Sequence, residues 1–155
     1  LSMSAYFKAK NLGGFANWMQ AQAQEEMTHA MKLFNYVNDR GEHIKLMKIV
    51  QPPTEWDSPL AVFKEVYKHE VKVTGLINNL VKLATDEKDY ATYNMLQWFV
   101  AEQVEEEANA GKNLEQMKLI GDDKQALLLL DRELGARPFP AGSALNPATY
   151  QGGEE

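Results

Sequence analysis

At 155 residues and 45% hydrophobic content, the chain has room for one domain with a proper core. Its net charge of −6, with no Lys/Arg run, excludes a nucleic-acid groove and favours cations instead. No cysteine is present, which excludes disulfides, thiolate metal sites and thiol catalysis and leaves oxygen and nitrogen ligands for iron, manganese, zinc, magnesium or calcium.

The first residues, Leu1 to Lys10, read as the last turns of a helix already under way, so that residues are expected upstream of Leu1. They do not have the pattern of a signal peptide, and no apolar run is long enough for a membrane span, so the expected location is the cytoplasm. Asn11-Leu-Gly-Gly14 supplies a breaker. From Phe15 to Asp39 the apolar residues recur with a period near 3.6, which predicts a helix of roughly seven turns. Its seam is Phe15, Trp18 or Met19, Gln22, Glu26, His29, Leu33 and Tyr36, and Gly41 stops it.

Glu42 to Asp57 contains Pro52-Pro53 and cannot be one helix; its length suits a connection that crosses a bundle from end to end. Ser58-Pro59 is a helix start. The helix that follows runs to about Ala84 with the seam Leu60, Phe63, Tyr67, Glu70, Thr74, Ile77, Val81 and Ala84. A short turn, Thr85 to Asp89, leads to an antiparallel partner from Tyr90 to Ile120, with Tyr93, Leu96, Val100, Gln103, Glu106 or Glu107, Ala110, Leu114 and Met117 facing inward. After Gly121 a last short helix spans Lys124 to Leu134. Residues 1–134 are thus expected as an all-α bundle, and 135–155 as a flexible tail.

Three of these helices place metal-ligand types in an apolar seam: Glu26 with His29, Glu70, and Gln103 with Glu106. Side chains three or four apart on a helix share one face, so Glu26 and His29 can converge on a point. An unpartnered buried carboxylate is costly, and a cation removes the cost. The run Glu102-Gln-Val-Glu-Glu-Glu107 crowds like charges at i,i+3 and i,i+4, which fits either a solvated acidic face or a cation-facing one. Glu25, nearly a quarter turn from Glu26, permits a second, outer site. Glutamates on facing helices with an imidazole are the ligand set of di-iron carboxylate bundles, in which Glu26 and Glu106 are the candidates to bridge two ions. His43, His69, Met19, Met27 and Met31 read as loop, surface or packing residues.

Ala23-Gln-Glu-Glu-Met-Thr-His-Ala30, Tyr67-Lys-His-Glu70 and Leu96-Gln-Trp-Phe-Val-Ala-Glu-Gln-Val-Glu-Glu-Glu107, with Trp18, Pro52-Pro53 and the short last helix, resemble the bacterial non-haem ferritins from Leu1 to about Leu134. The resemblance implies a ferritin-like four-helix bundle with one long crossover and a short fifth helix. It implies oxidation of Fe(II) by O2 or H2O2 at a ferroxidase centre, and storage as a mineral in a homo-oligomeric shell of about 24 subunits. Carried over, Glu26, His29, Glu70 and Glu106 hold two irons with Gln103 beside them, and Glu25, Glu102, Glu105 and Glu106 form a third iron site. The family has one further glutamate ligand on its first helix, upstream of Leu1, and the tail after Gly135 is longer than the family pattern.

Bacterioferritin is a rival, because Met27 stands where its haem-ligating methionine would. That family repeats Glu-x-x-His on the last long helix, whereas Glu106 is followed at the third position by Asn109, so no haem is expected. A non-catalytic helical shell or scaffold subunit is the other alternative.

Overall fold

Helix α1, Ser2–Ala9, turns into α2, Gly13–Asp39, through a tight reversal in which Leu12 N–H donates to the Phe7 carbonyl at 3.0 Å. Asn11 takes the left-handed conformation there (φ 57°), which a short polar side chain tolerates. Within the expected breaker Asn11-Leu-Gly-Gly14 the turn residue is Asn11, while Gly13 and Gly14 lie inside the first turn of α2. The computed structural model describes residues 1–140, and its remaining helices are α3 (Pro59–Asp86), α4 (Tyr90–Ile120) and α5 (Lys124–Gly135). Among the described residues there is no strand, and no helix is long and apolar enough to cross a membrane. The helices fall into two compact units, Leu1–Glu55 with the chain from Lys124 onward, and Trp56–Asp123.

In the first unit α1 packs on the start of α2. The Phe7 and Phe15 rings lie 5.1 Å apart, and Ser4 donates its hydroxyl to the Ala16 carbonyl at 3.0 Å. Both phenylalanines are fully buried, each contributing about 2–3 kcal/mol of hydrophobic stabilisation. Helix α5 lies across the same end of α2. Asp131 accepts the Phe15 N–H at 2.9 Å, supplying the N-terminal cap that Leu12 cannot. A Cβ on Gly14 would collide with the Asp131 carbonyl, so glycine is what lets α5 come this close.

Gly41 (φ 79°) ends α2 as the spacing predicts. The segment after it has neither helix nor strand and runs back until Pro53 accepts a hydrogen bond from the Ser2 hydroxyl, at the start of α1. An extended stretch of this length reaches roughly 40 Å, about the length of α2 itself. Beyond α5 the chain does not leave the unit at once. The Asn17 side-chain amide donates to the carbonyls of Gly135 (3.3 Å) and Arg137 (3.1 Å). The rest of the expected tail, 141–155, lies outside the described residues.

In the second unit Ser58 caps α3 by accepting the Ala61 N–H at 3.1 Å. Asp89 caps α4 through Thr92, whose N–H and hydroxyl it accepts at 3.1 and 2.7 Å. The two helices run antiparallel: Tyr67 of α3 meets Gly111 of α4, and Thr74 meets Gln103. Their shared core holds Val62, Phe63, Leu96 and Phe99, all at most 4% exposed. Near the start of α4 the inward residues are thus Leu96, as expected, and Phe99, while the expected Val100 is only half-buried and the expected Tyr93 is exposed.

Candidate metal centre

On α2 the apolar stripe stops earlier than the spacing predicts. Phe15, Ala16, Trp18, Met19, Ala21 and Gln22 are buried, but the Glu26 side chain is 45% exposed and that of His29 is 12% exposed. Met27 and Met31 are exposed too, correcting their expected packing role. Ser4 of α1 sits at Ala16, so the contact between α1 and α2 falls on the buried first turns of α2. Glu26 and His29 nevertheless converge as their spacing predicts, with Nδ1 of His29 3.4 Å from Oε2 of Glu26. The other carboxylate oxygen accepts from Gln22 Nε2 at 3.3 Å, so a neighbour one turn earlier aims Glu26.

Glu25 points elsewhere on the helix and forms an ion pair with Arg137. The same guanidinium donates to Gln22 Oε1 at 2.9 Å and lies 4.7 Å from the centre of the Trp18 ring. Sequence reasoning assigned Arg137 to a loose tail and missed this cluster. Its one legible signal is an arginine spaced just beyond a glycine-terminated helix.

On the α3–α4 pair the polar members of the seam are buried. Glu70, Gln103 and Glu106 are 4%, 5% and 5% exposed. Gln103 Nε2 donates to the Glu70 carbonyl and to the Thr74 hydroxyl, each at 3.3 Å, which locks the amide across the two helices. Glu106, rather than Glu107, takes the inward position; Glu102 is half-buried and Glu105 exposed. His43 and His69 are exposed as expected. A cavity of about 360 Å³ opens beside Gln103, lined also by Thr74, Asn78, Val104 and Glu107.

The donors available are carboxylates, one imidazole and one amide, a set that suits iron or another borderline-to-hard divalent ion. Two glutamates buried on one helix pair are costly unless a positive charge is at hand, and bound cations supply it.

A family model described as "Ferritin-like domain" matches residues 1–120. The chain is 42% identical over 139 residues to the bacterial non-heme ferritin of Staphylococcus aureus (strain USA300), covering 90% of this chain and 84% of that protein. The same figures, 42% over 139 residues, hold for the bacterial non-heme ferritin of Staphylococcus haemolyticus (strain JCSC1435). Among solved structures, an open pore ferritin from the hyperthermophilic archaeon Archaeoglobus fulgidus superimposes with a TM-score of 0.88 at 58% identity, over 89% of this chain and 85% of that one. With this extent of likeness and its all-helical described residues, the chain belongs to the ferritin family of iron-storage proteins and has its ferritin-like helical fold.

Proposed function

We propose that this ferritin oxidises Fe(II) before storing it, taking the metal as substrate on Glu26, His29, Glu70 and Glu106 with Gln103 beside them. The observation that carries the reading is the convergent Glu-x-x-His of α2, its Glu26 and His29 atoms 3.4 Å apart, and in support α3 and α4 each bury a glutamate to 5% exposure or less. Carboxylates favour Fe(III) over Fe(II), because the higher charge gains more from anionic oxygen ligands. A site rich in them therefore lowers the cost of losing an electron. Two Fe(II) ions held together give one electron each, so O2 with two protons leaves as H2O2 in a single encounter. The cavity beside Gln103 supports an approach for so small an oxidant.

Glu25, Glu102 and Glu105 form an outer group that takes a third ion, with Glu106 shared. The exposure of Glu105 and the partial exposure of Glu102 and Glu25 suit a lower-affinity transit position. Self-association into a homo-oligomeric shell, of about 24 subunits by family pattern, is supported by the segment after α2. Leu46, Met47, Ile49 and Val50 are 78–91% exposed there, an apolar run that water does not favour.

The test is anaerobic Fe(II) loading followed by air, recording the near-ultraviolet Fe(III)-oxo absorbance. A fast phase saturating at two to three irons per chain, absent from a Glu26→Ala, His29→Ala variant, is the expected result. Oxidation no faster than in buffer would remove the ferroxidase reading and leave a storage shell fed by iron oxidised elsewhere.

A further inference from the structure

Arg137 sits where an outer cation would be repelled. Its guanidinium is shared between the Glu25 carboxylate and Gln22 Oε1, stacks over Trp18, and is only 19% exposed. Its backbone is fastened by Asn17, so the guanidinium is delivered to Glu25 by a positioned chain rather than by a free arm. Gln22 passes the contact on: its carbonyl oxygen accepts from Arg137 while its amide nitrogen donates to Glu26. One cation thus orders two adjacent carboxylates, one directly and one through an amide relay.

We infer that Arg137 is a tethered counter-cation for Glu25, which a metal ion taking Glu25 must displace. The inference rests on the iron reading above for the ion it concerns. A divalent ion on the free oxygen of Glu25 would lie within a few ångströms of the guanidinium, in a partly shielded setting where like charges repel strongly. Occupancy of the outer position and docking of Arg137 on Glu25 therefore exclude one another. When the guanidinium leaves, Gln22 loses its acceptor role and holds Glu26 less firmly, so the outer position reports its state to the inner carboxylate. Arginine suits this duty better than lysine, because its planar fork serves Glu25 and Gln22 together while its face covers the indole.

The experiment is anaerobic calorimetric titration of the intact assembled protein with Fe(II), comparing wild type, Arg137→Ala, Arg137→Lys, Glu25→Gln and the Glu25→Gln, Arg137→Ala double variant. Removing the counter-cation should tighten the weakest-bound ion roughly tenfold in Arg137→Ala and less in Arg137→Lys, and leave the two tight ions in place. In the Glu25→Gln background the Arg137 substitution should change nothing, since its target is gone. Metal-free Arg137→Ala should also melt about 2–4 °C lower, a gap that closes once the ion is saturating. An outer affinity that is unchanged or weaker in Arg137→Ala overturns the displacement, even with the two tight ions intact. No tight ions in wild type would instead overturn the iron reading itself, and the two failures are told apart by counting ions.

Discussion

The polar seam of α3–α4 and that of α2 carry the same chemistry but are held in different ways. On α3–α4, Glu70, Gln103 and Glu106 are buried within an antiparallel pair, and Gln103 is pinned from the opposite helix by the Glu70 carbonyl and Thr74. On α2, Glu26 is held by Gln22 of its own helix and the neighbouring Glu25 by Arg137 from beyond α5, while Met27 and Met31 beside them stay exposed. One half is positioned by packing, the other by hydrogen bonds and charge. Substitutions in the first should therefore cost stability and iron chemistry together, and in the second iron chemistry far more than stability.

The largest loss is expected where packing alone acts. Phe63→Ala, at a side chain with no exposure, should destabilise by about 3–5 kcal/mol in denaturant titration. Gly14→Val should cost about 3 kcal/mol, because a Cβ has no room against the Asp131 carbonyl and α5 must move away. Far-ultraviolet dichroism would retain most helix while the melting temperature falls. Gln103→Leu should cost about 1–2 kcal/mol through the lost bonds to Glu70 and Thr74, and slow iron oxidation as well. His29→Ala sharpens the contrast. Its stability should change by less than about 1 kcal/mol, yet the fast oxidation phase should fall by roughly 100-fold. Equal stability losses at His29 and Gln103 would erase the distinction between the two halves. The smallest effect has the opposite sign: Lys88→Gly, at φ 57° in the turn between α3 and α4, should stabilise by about 0.5–1 kcal/mol.

Much of this was legible in the residues. Ser58-Pro59, Asp89, Gly41 and Gly121 punctuate the helices where the spacing places them, since caps and left-handed residues act locally. The Glu70, Gln103 and Glu106 seam was legible because a 3.6 period over a long helix defines its buried face. Glu26 reads as buried from the spacing but is 45% exposed, because periodicity gives the direction of a side chain and says nothing of what packs against it. The breaker Asn11-Leu-Gly-Gly14 was legible, but not the separate duty of Gly14, which serves the close approach of α5, a contact 116 residues distant in the chain by the Phe15–Asp131 bond. Arg137 was missed because its partners, Trp18, Gln22 and Glu25, are brought to it only by the docking of α5 on α2.

The most direct test of the central claim, that the α2 and α3–α4 residues take iron together, is anomalous diffraction at the iron edge from crystals loaded anaerobically with Fe(II). The account predicts iron coordinated by Glu26 and His29 and also by Glu70 or Glu106, with two such ions per chain. Iron found only on exposed carboxylates such as Glu105, with His29 and Glu70 free of metal, would contradict it.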